Sequence, residues 1–196
     1  MFTGKHITIE GMDWVGKSTI CEMISKRTGF VFVDKPLRFL FNESGGYDEY
    51  IRIRDYVNQQ EDHVFTAWFY GLASTYLYNR FNGQNIITDR HFVSNYMWGG
   101  DETSLKVFDT LIDSIGVPSL SVVLYARPDV IEERLRNRDR KDPDLCKVAL
   151  SEKAYSKIDE FFERYDMPHI IIDTSDKTPE DVCDIIMDKL AKEGVI

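Results

Sequence analysis

Residues 6–19, His6-Ile7-Thr8-Ile9-Glu10-Gly11-Met12-Asp13-Trp14-Val15-Gly16-Lys17-Ser18-Thr19, constrain this chain more than any other stretch. A short apolar run enters a loop bounded by two glycines, and a helical pattern begins at Lys17. The spacing is that of a phosphate-binding P-loop, G-x-x-x-x-G-K-S, met at Gly11, Gly16, Lys17 and Ser18. Gly11 and Gly16 permit backbone angles closed to other residues, so that successive N–H groups can curl around a phosphate. Lys17 and the N-terminus of the following helix add positive charge where the β- and γ-phosphates of a nucleotide would lie. Ser18 offers a hydroxyl to a magnesium ion. The loop residues Gly11, Asp13, Trp14, Val15, Gly16, Lys17, Ser18 and Thr19 are therefore expected to hold the donor nucleotide.

The context suits such a loop. His6–Ile9 reads as a buried strand, and the helical stretch Lys17–Thr28 carries apolar residues at Ile20, Met23 and Ile24, as a helix packed on a sheet does. Further β-branched runs at Phe30–Val33, Asn85–Thr88, Ser121–Tyr125 and His169–Ile172 show little polar alternation, the pattern of parallel strands covered on both faces. Helical patterns separate them at Asp62–Phe81, Ser104–Ile115, Val130–Arg140, Glu152–Tyr165 and Pro179–Lys192. The expected architecture is one domain over residues 1–196: a three-layer α/β/α P-loop NTPase fold with a five-stranded parallel sheet. Its length of 196 residues is enough for a full core. The irregular stretch Asn42 to Asp48, with Gly45-Gly46, reads as a mobile loop over the site.

Charge narrows the partners. Twenty-four Lys and Arg against 33 Asp and Glu leave a net charge of −9, which opposes general binding to nucleic acid or to an anionic membrane. The expected partner is a small molecule. Cys21, Cys146 and Cys183 are far apart and outside any metal-ligand spacing, as suits reduced thiols in a cytosol, and Cys21 and Cys183 fall in helical patterns as core residues. The chain has neither a signal sequence nor an 18-residue apolar run, so a cytoplasmic location is expected.

Candidate site residues gather where strands end, the edge at which open α/β sheets bind ligands. After the second strand, Asp34, Lys35 and Arg38 flank Pro36 and can meet an acceptor. After the third come Asp89 and Arg90. An Asp at the end of the strand beside the P-loop strand can hold magnesium or its waters with Ser18, and Arg90 can bridge phosphates. His91 can cap or pack as readily as do chemistry. Between residues 56 and 81 lies a dense aromatic set, of which Phe65, Trp68, Phe69, Leu72 and Tyr76 recur at helical spacing and read as core, with one or two, Phe69 among them, able to face the acceptor. Arg127-Pro128-Asp129 opens a helix with Glu132 four residues before Arg136, a solvent-facing pair. The helix then turns basic at Arg134, Arg136, Arg138, Arg140 and Lys141. This run reads as a short basic lid, about 134–148, whose arginines, Arg134 at the donor and Arg138 at the reacting phosphate, would neutralise a triphosphate. Asp173-Thr174-Ser175 could border the base.

In this order the motifs resemble the thymidylate kinase family and its relatives, the deoxynucleoside kinases, over nearly the whole chain. The residues that carry the resemblance are Ile9-Glu10-Gly11-Met12-Asp13, the turn before Pro36, Asp89-Arg90 followed by Ser94, Arg127-Pro128 and the basic run. It implies that Asp89 and Arg90 flank the reacting phosphates, that Asp13 lies near the acceptor's sugar or the metal, and that the protein is a dimer. The chain departs from the pattern at Trp14, where some members have arginine, at Lys35, where the family has glutamate, and at Ala73-Ser74, where an Asp-Arg pair binds the acceptor's phosphate.

The activity expected is MgATP-dependent transfer of a γ-phosphoryl group to a nucleoside monophosphate, thymidylate first, with Lys17, Asp89, Arg90 and Arg138 as its catalytic groups and Asp13, Asp34, Lys35, Arg38, Phe69 and Arg90 around the acceptor. A monophosphate needs cations to bind it, whereas a nucleoside hydroxyl needs a carboxylate to take its proton. Lys35 points to the first and Ala73-Ser74 to the second. A nucleotide-binding protein without catalysis is a further alternative, as is an NTPase that moves a partner.

Overall fold

The computed structural model describes residues 2–138 and 143–196, with the side chains of Arg138 and residues 143–146 excepted. Five strands, β1 (His6–Glu10), β2 (Val31–Val33), β3 (Ile86–Asp89), β4 (Leu120–Tyr125) and β5 (His169–Asp173), form one sheet in the order β2-β3-β1-β4-β5, parallel throughout. The strand that carries the P-loop is central, and every one of its residues is buried. Burial on both faces holds for β1 and the strands beside it. At the edges Val31 and Ile171 open to solvent, because an edge strand lacks a neighbour on one side.

Helices α1 (Lys17–Thr28), α4 (His63–Arg80), α6 (Leu105–Ile115), α7 (Pro128–Arg138), α8 (Ser151–Tyr165) and α9 (Pro179–Lys192) follow the sequence patterns closely. Local chemistry sets their ends. Gly29, in the left-handed region at φ 74°, closes α1; the Asp62 carboxylate caps α4 by accepting from the N–H groups of Val64 and Phe65; Thr178 and Asp181 form a reciprocal box at the start of α9. Cys21 and Cys183 are buried free thiols, as their helical positions require.

Three helices escape the sequence reading: α2 (Arg38–Phe41), α3 (Asp48–Asn58) and α5 (Phe92–Gly99). Nearly all of α5 is buried, so it has no polar face to produce a period. The irregular stretch from Asn42 gives way to α3 at Asp48. Short 3-10 helices span Glu102–Ser104 and Pro143–Leu150, the second following α7. Of the basic run, Arg140 and Lys141 lie outside the described residues, and Arg138 is placed only as the last residue of α7.

The reading of α4 needs correction. Phe65, Trp68 and Leu72 are not core: they are 44, 47 and 46 % exposed, and Phe69 and Tyr76 are half-buried. The buried face is instead Thr66, Ala67, Gly71, Ser74, Leu77 and Tyr78. Small residues lie inward because the neighbouring helix comes close; a Cβ on Gly71 would stand 2.5 Å from Leu111 Cδ1 of α6. Large side chains at those inner positions would force the two helices apart, which leaves the aromatic stripe on the outside.

Candidate active site

The site grows from the C-terminal end of β1. Gly11 has φ 122°, and a Cβ there would lie 2.3 Å from the Leu124 carbonyl oxygen on β4, so only glycine lets the chain turn at this point. Gly16 is the N-cap residue of α1 at φ 97°, again left-handed. The loop between them directs Lys17 inward. Its Nζ donates to the Met12 carbonyl at 2.6 Å, and burial, together with the Arg90 guanidinium, lowers its pKa to about 8 against the pull of Asp89, Asp13 and Glu10.

The β1–β3 register sets Ile9 opposite Asp89, which brings the strand-end carboxylate beside the loop. Ser18 Oγ donates to Asp89 Oδ2 at 2.6 Å, while Asp89 Oδ1 is buried without a hydrogen-bond partner. A hydroxyl and a carboxylate with an unengaged oxygen fit a small hard cation such as Mg2+, which keeps most of its ligands from water and phosphate. In keeping with so sparse a protein contribution, no cluster of three or more His, Cys, Asp and Glu side chains converges on one point among the described residues.

Arg90 stands at φ 78°, left-handed without being glycine. From there its Nη1 donates to the Gly11 carbonyl at 3.1 Å and its Nη2 to the Asp13 carboxylate. Burial opposes ionisation of Asp13, but the charges of Arg90, Lys17 and Lys147 outweigh it and hold the carboxyl below the ordinary value. The P-loop thus carries one carboxylate ringed by three cations.

Glu10 holds the Arg90 turn, and the sequence reading passed over it. Fully buried, it accepts from Thr8 Oγ1 at 2.7 Å, from the Ser94 N–H at 3.0 Å and from Ser94 Oγ. Burial raises its pKa against those hydrogen bonds and the nearby Arg90 charge. One carboxylate thereby joins the last residue of β1 to the first turn of α5, on either side of Asp89 and Arg90. A carboxylate at the end of a strand that reads as buried was the available signal.

His91 packs rather than reacts. It is buried, neither ring nitrogen has a hydrogen-bond partner, and it lies against His6, Tyr78 and Phe92. The His6 ring nitrogens are 2.9 Å from the Tyr78 hydroxyl and 2.8 Å from Thr88 Oγ1.

Beyond β2, Lys35 Nζ contacts both oxygens of Asp34 at 2.8 and 2.9 Å, and the Tyr47 hydroxyl donates to the same carboxylate at 3.2 Å. Arg38 lies across the Phe39 and Tyr47 rings, and its buried Nε has no hydrogen-bond partner. Phe69 stacks with Phe41 of α2, their centroids 6.4 Å apart. At Ala73-Ser74 there is no cation, and Ser74 Oγ turns back to the Tyr70 carbonyl.

On the other side of the loop a cavity of about 220 Å3 is lined by Trp14, Val15, Thr19, Arg134, Thr174 and Lys177. Arg134 donates to the Thr174 carbonyl at 2.9 Å and to its hydroxyl at 3.3 Å, which fixes the wall formed by α7. Arg136 points elsewhere, paired with Glu132 at 2.5 Å on the exposed face of α7, where both border a wider groove with Pro128, Val148 and Glu152.

A family model described as "AAA domain" matches residues 7–161, most of the chain and the whole P-loop. The chain belongs to the AAA-domain family. No curated protein sequence shows a significant match to this AAA domain. Among solved structures it is similar to deoxyadenosine kinase from M. mycoides. The form with the products dCMP and a flexible dCDP bound has a TM-score of 0.65 at 20 % identity, and the form with bound dATP has 0.64 at 22 %. The form with bound dCTP has 0.61 at 20 %, and each comparison covers 95 % of this chain and 99 % of the other. At such identities the likeness establishes the fold alone, a five-stranded parallel sheet between helices with the P-loop after its central strand.

Proposed function

We propose that the protein is a nucleotide kinase that transfers the γ-phosphoryl group of ATP to a nucleoside monophosphate, with thymidylate the first candidate. The observation that carries the reading is the meeting of Ser18 with Asp89, and of Arg90 with Asp13, at the mouth of the P-loop. Lys17 and the loop amides bind the donor's phosphates, and Trp14, Arg134 and Thr174 enclose its base. Ser18 and Asp89 would hold Mg2+, which when bound neutralises phosphate charge. Arg90, fixed by the Asp13 carboxylate and by the Gly11 carbonyl, faces the charge that develops between donor and acceptor, so positioning and neutralisation account for most of the rate.

The acceptor side supports a monophosphate. Lys35 and Tyr47 already engage the Asp34 carboxylate, which is therefore poorly placed to take a proton from a nucleoside hydroxyl, while no carboxylate pairs with Arg38 among the described residues. The nucleoside reading draws on the deoxyadenosine kinase fold and on the absence of a cation at Ala73-Ser74. Wild type and Lys35→Glu, assayed with MgATP against thymidine, deoxyadenosine and their 5′-monophosphates, separate the two. Reversal of a close charge in a partly dry site is worth about 1–3 kcal/mol, so the variant's KM for the monophosphate should rise by about tenfold to a hundredfold. Faster wild-type turnover of nucleosides would overturn the monophosphate assignment. No turnover of any acceptor would favour a binding protein without catalysis.

We also propose a homodimer through the outer face of α4. Between His63 and Asn79 this helix has no Asp, Glu, Lys or Arg, in a chain of net charge −9. It is a face on which two acidic copies can meet without opposed like charges, with Phe65, Trp68 and Leu72 as the contact.

A further inference from the structure

Three cations surround Asp13, and two of them, Lys17 and Arg90, belong to the strand ends and the P-loop. The third comes from far along the chain. Lys147, in the 3-10 helix at Pro143–Leu150, places Nζ 3.3 Å from Asp13 Oδ2 and 5.6 Å from the centre of the Trp98 ring on α5. It is 40 % exposed and Asp13 29 %. So exposed a pair adds little to stability, so its contribution to the fold is small. Its effect is to bring a cation from a separate element to the loop that binds phosphate. The aromatic face restrains the ammonium without neutralising it, and Asp13 already shares its two oxygens between Lys147 and Arg90.

Of the other lid cations with described side chains, neither reaches this point. Arg134 is committed to Thr174 and Arg136 to Glu132, while the Arg138 side chain lies outside the described residues. An anionic phosphoryl group beside Lys17 and Arg90 would compete with Asp13 for the same cations, Lys147 among them.

We propose that Lys147 is a catalytic residue, the cation that the 143–150 helix holds over the P-loop, between Asp13 and Trp98, to meet the phosphoryl group in transfer. The inference rests on the kinase reading. It differs from the sequence expectation in taking the decisive lid cation from beyond the basic run. Charge on the equatorial oxygens and at the leaving oxygen shifts during transfer, so a cation placed for the transition state lowers kcat when removed and leaves KM for ATP little changed.

The test is steady-state kinetics of wild type, Lys147→Ala, Lys147→Arg and Arg136→Ala with MgATP and the best acceptor of the panel. Loss of one such charge should lower kcat by about a hundredfold in Lys147→Ala with at most a few-fold change in KM. Lys147→Arg should recover part of the loss, and Arg136→Ala, which removes equal charge from the exposed face of α7, should match wild type. An unaltered kcat in Lys147→Ala, or a loss confined to KM, overturns the inference while the kinase reading stands. A fall in Arg136→Ala equal to that in Lys147→Ala would mean a general charge effect and would also overturn it. A wild type inert toward every acceptor removes the kinase reading and the inference together.

Discussion

Lys17 is pulled two ways. Its role needs a positive charge, yet burial and the neighbouring Arg90 bring its pKa down to about 8. Triphosphate in the loop would raise that value again, so the free protein must take up a proton to bind ATP once the pH passes about 8. Accordingly, kcat/KM for ATP should fall above pH 8, by about tenfold per unit, while kcat, which reports the complex, falls later. A pH profile from 6.5 to 9.5 checks this; a flat kcat/KM to the upper limit would mean that Lys17 remains charged in the free protein. At this scale the sequence is most legible where a constraint is local. Gly11, Lys17 and Ser18 follow from the spacing alone because the loop makes its own geometry. Glu10 and Ser94 do not, since their bond exists only when β1 and α5 are side by side, 84 positions apart in the chain.

Elements were legible according to how much of their environment they share with water. Helices with one wet face announce themselves; α5, buried nearly all round, does not, and α4 announces itself with the faces exchanged. Its inner stripe of Thr66, Ala67, Gly71 and Ser74 is chosen for close approach rather than for apolarity, a requirement that hydrophobic periodicity cannot register. The exposed aromatic stripe then becomes an expectation about assembly. Trp68→Glu would place a charge at the centre of the proposed two-fold contact and should convert a dimer into a monomer at tens of micromolar protein, with the cooperative melt retained. Sedimentation velocity decides it, and a wild type that sediments as a monomer would remove the contact.

For the molecule as a whole, acid is the condition its interior resists least well. Burial lowers the pKa of His91 to about 3, and burial, with His91 as a close second charge, takes His6 well below its usual value. The unfolded chain binds protons at these imidazoles below about pH 6.5 whereas the folded protein does not, so stability rises with pH in that range and is lost as pH falls from about 6.5 toward 3. His91 alone would contribute about 1.4 kcal/mol per unit at full effect. Denaturant midpoints at pH 7.5, 6 and 5 should therefore decline, and His91→Phe, which keeps the ring among Tyr78 and Phe92, should flatten the decline. An equal pH slope in the variant would assign the effect to carboxylates. The number and direction of the strands were readable from the alternation of short β-branched runs with helical stretches; the gathering of His6, Tyr78, Thr88 and His91 was not, because it draws on three elements that meet only in the finished fold.

The chain has three tryptophans, and the fold sends each to a different station. Trp14 lines the cavity beside the P-loop, Trp98 lies beneath Lys147, and Trp68 stands on the open face of α4. Indole emission shifts with polarity and is quenched by nearby charge, so the molecule carries its own optical reporters. Occupation of the base cavity, displacement of the lysine and pairing of two copies would each alter a different fluorophore, and replacing two of the three with phenylalanine would leave a protein whose light follows one event at a time.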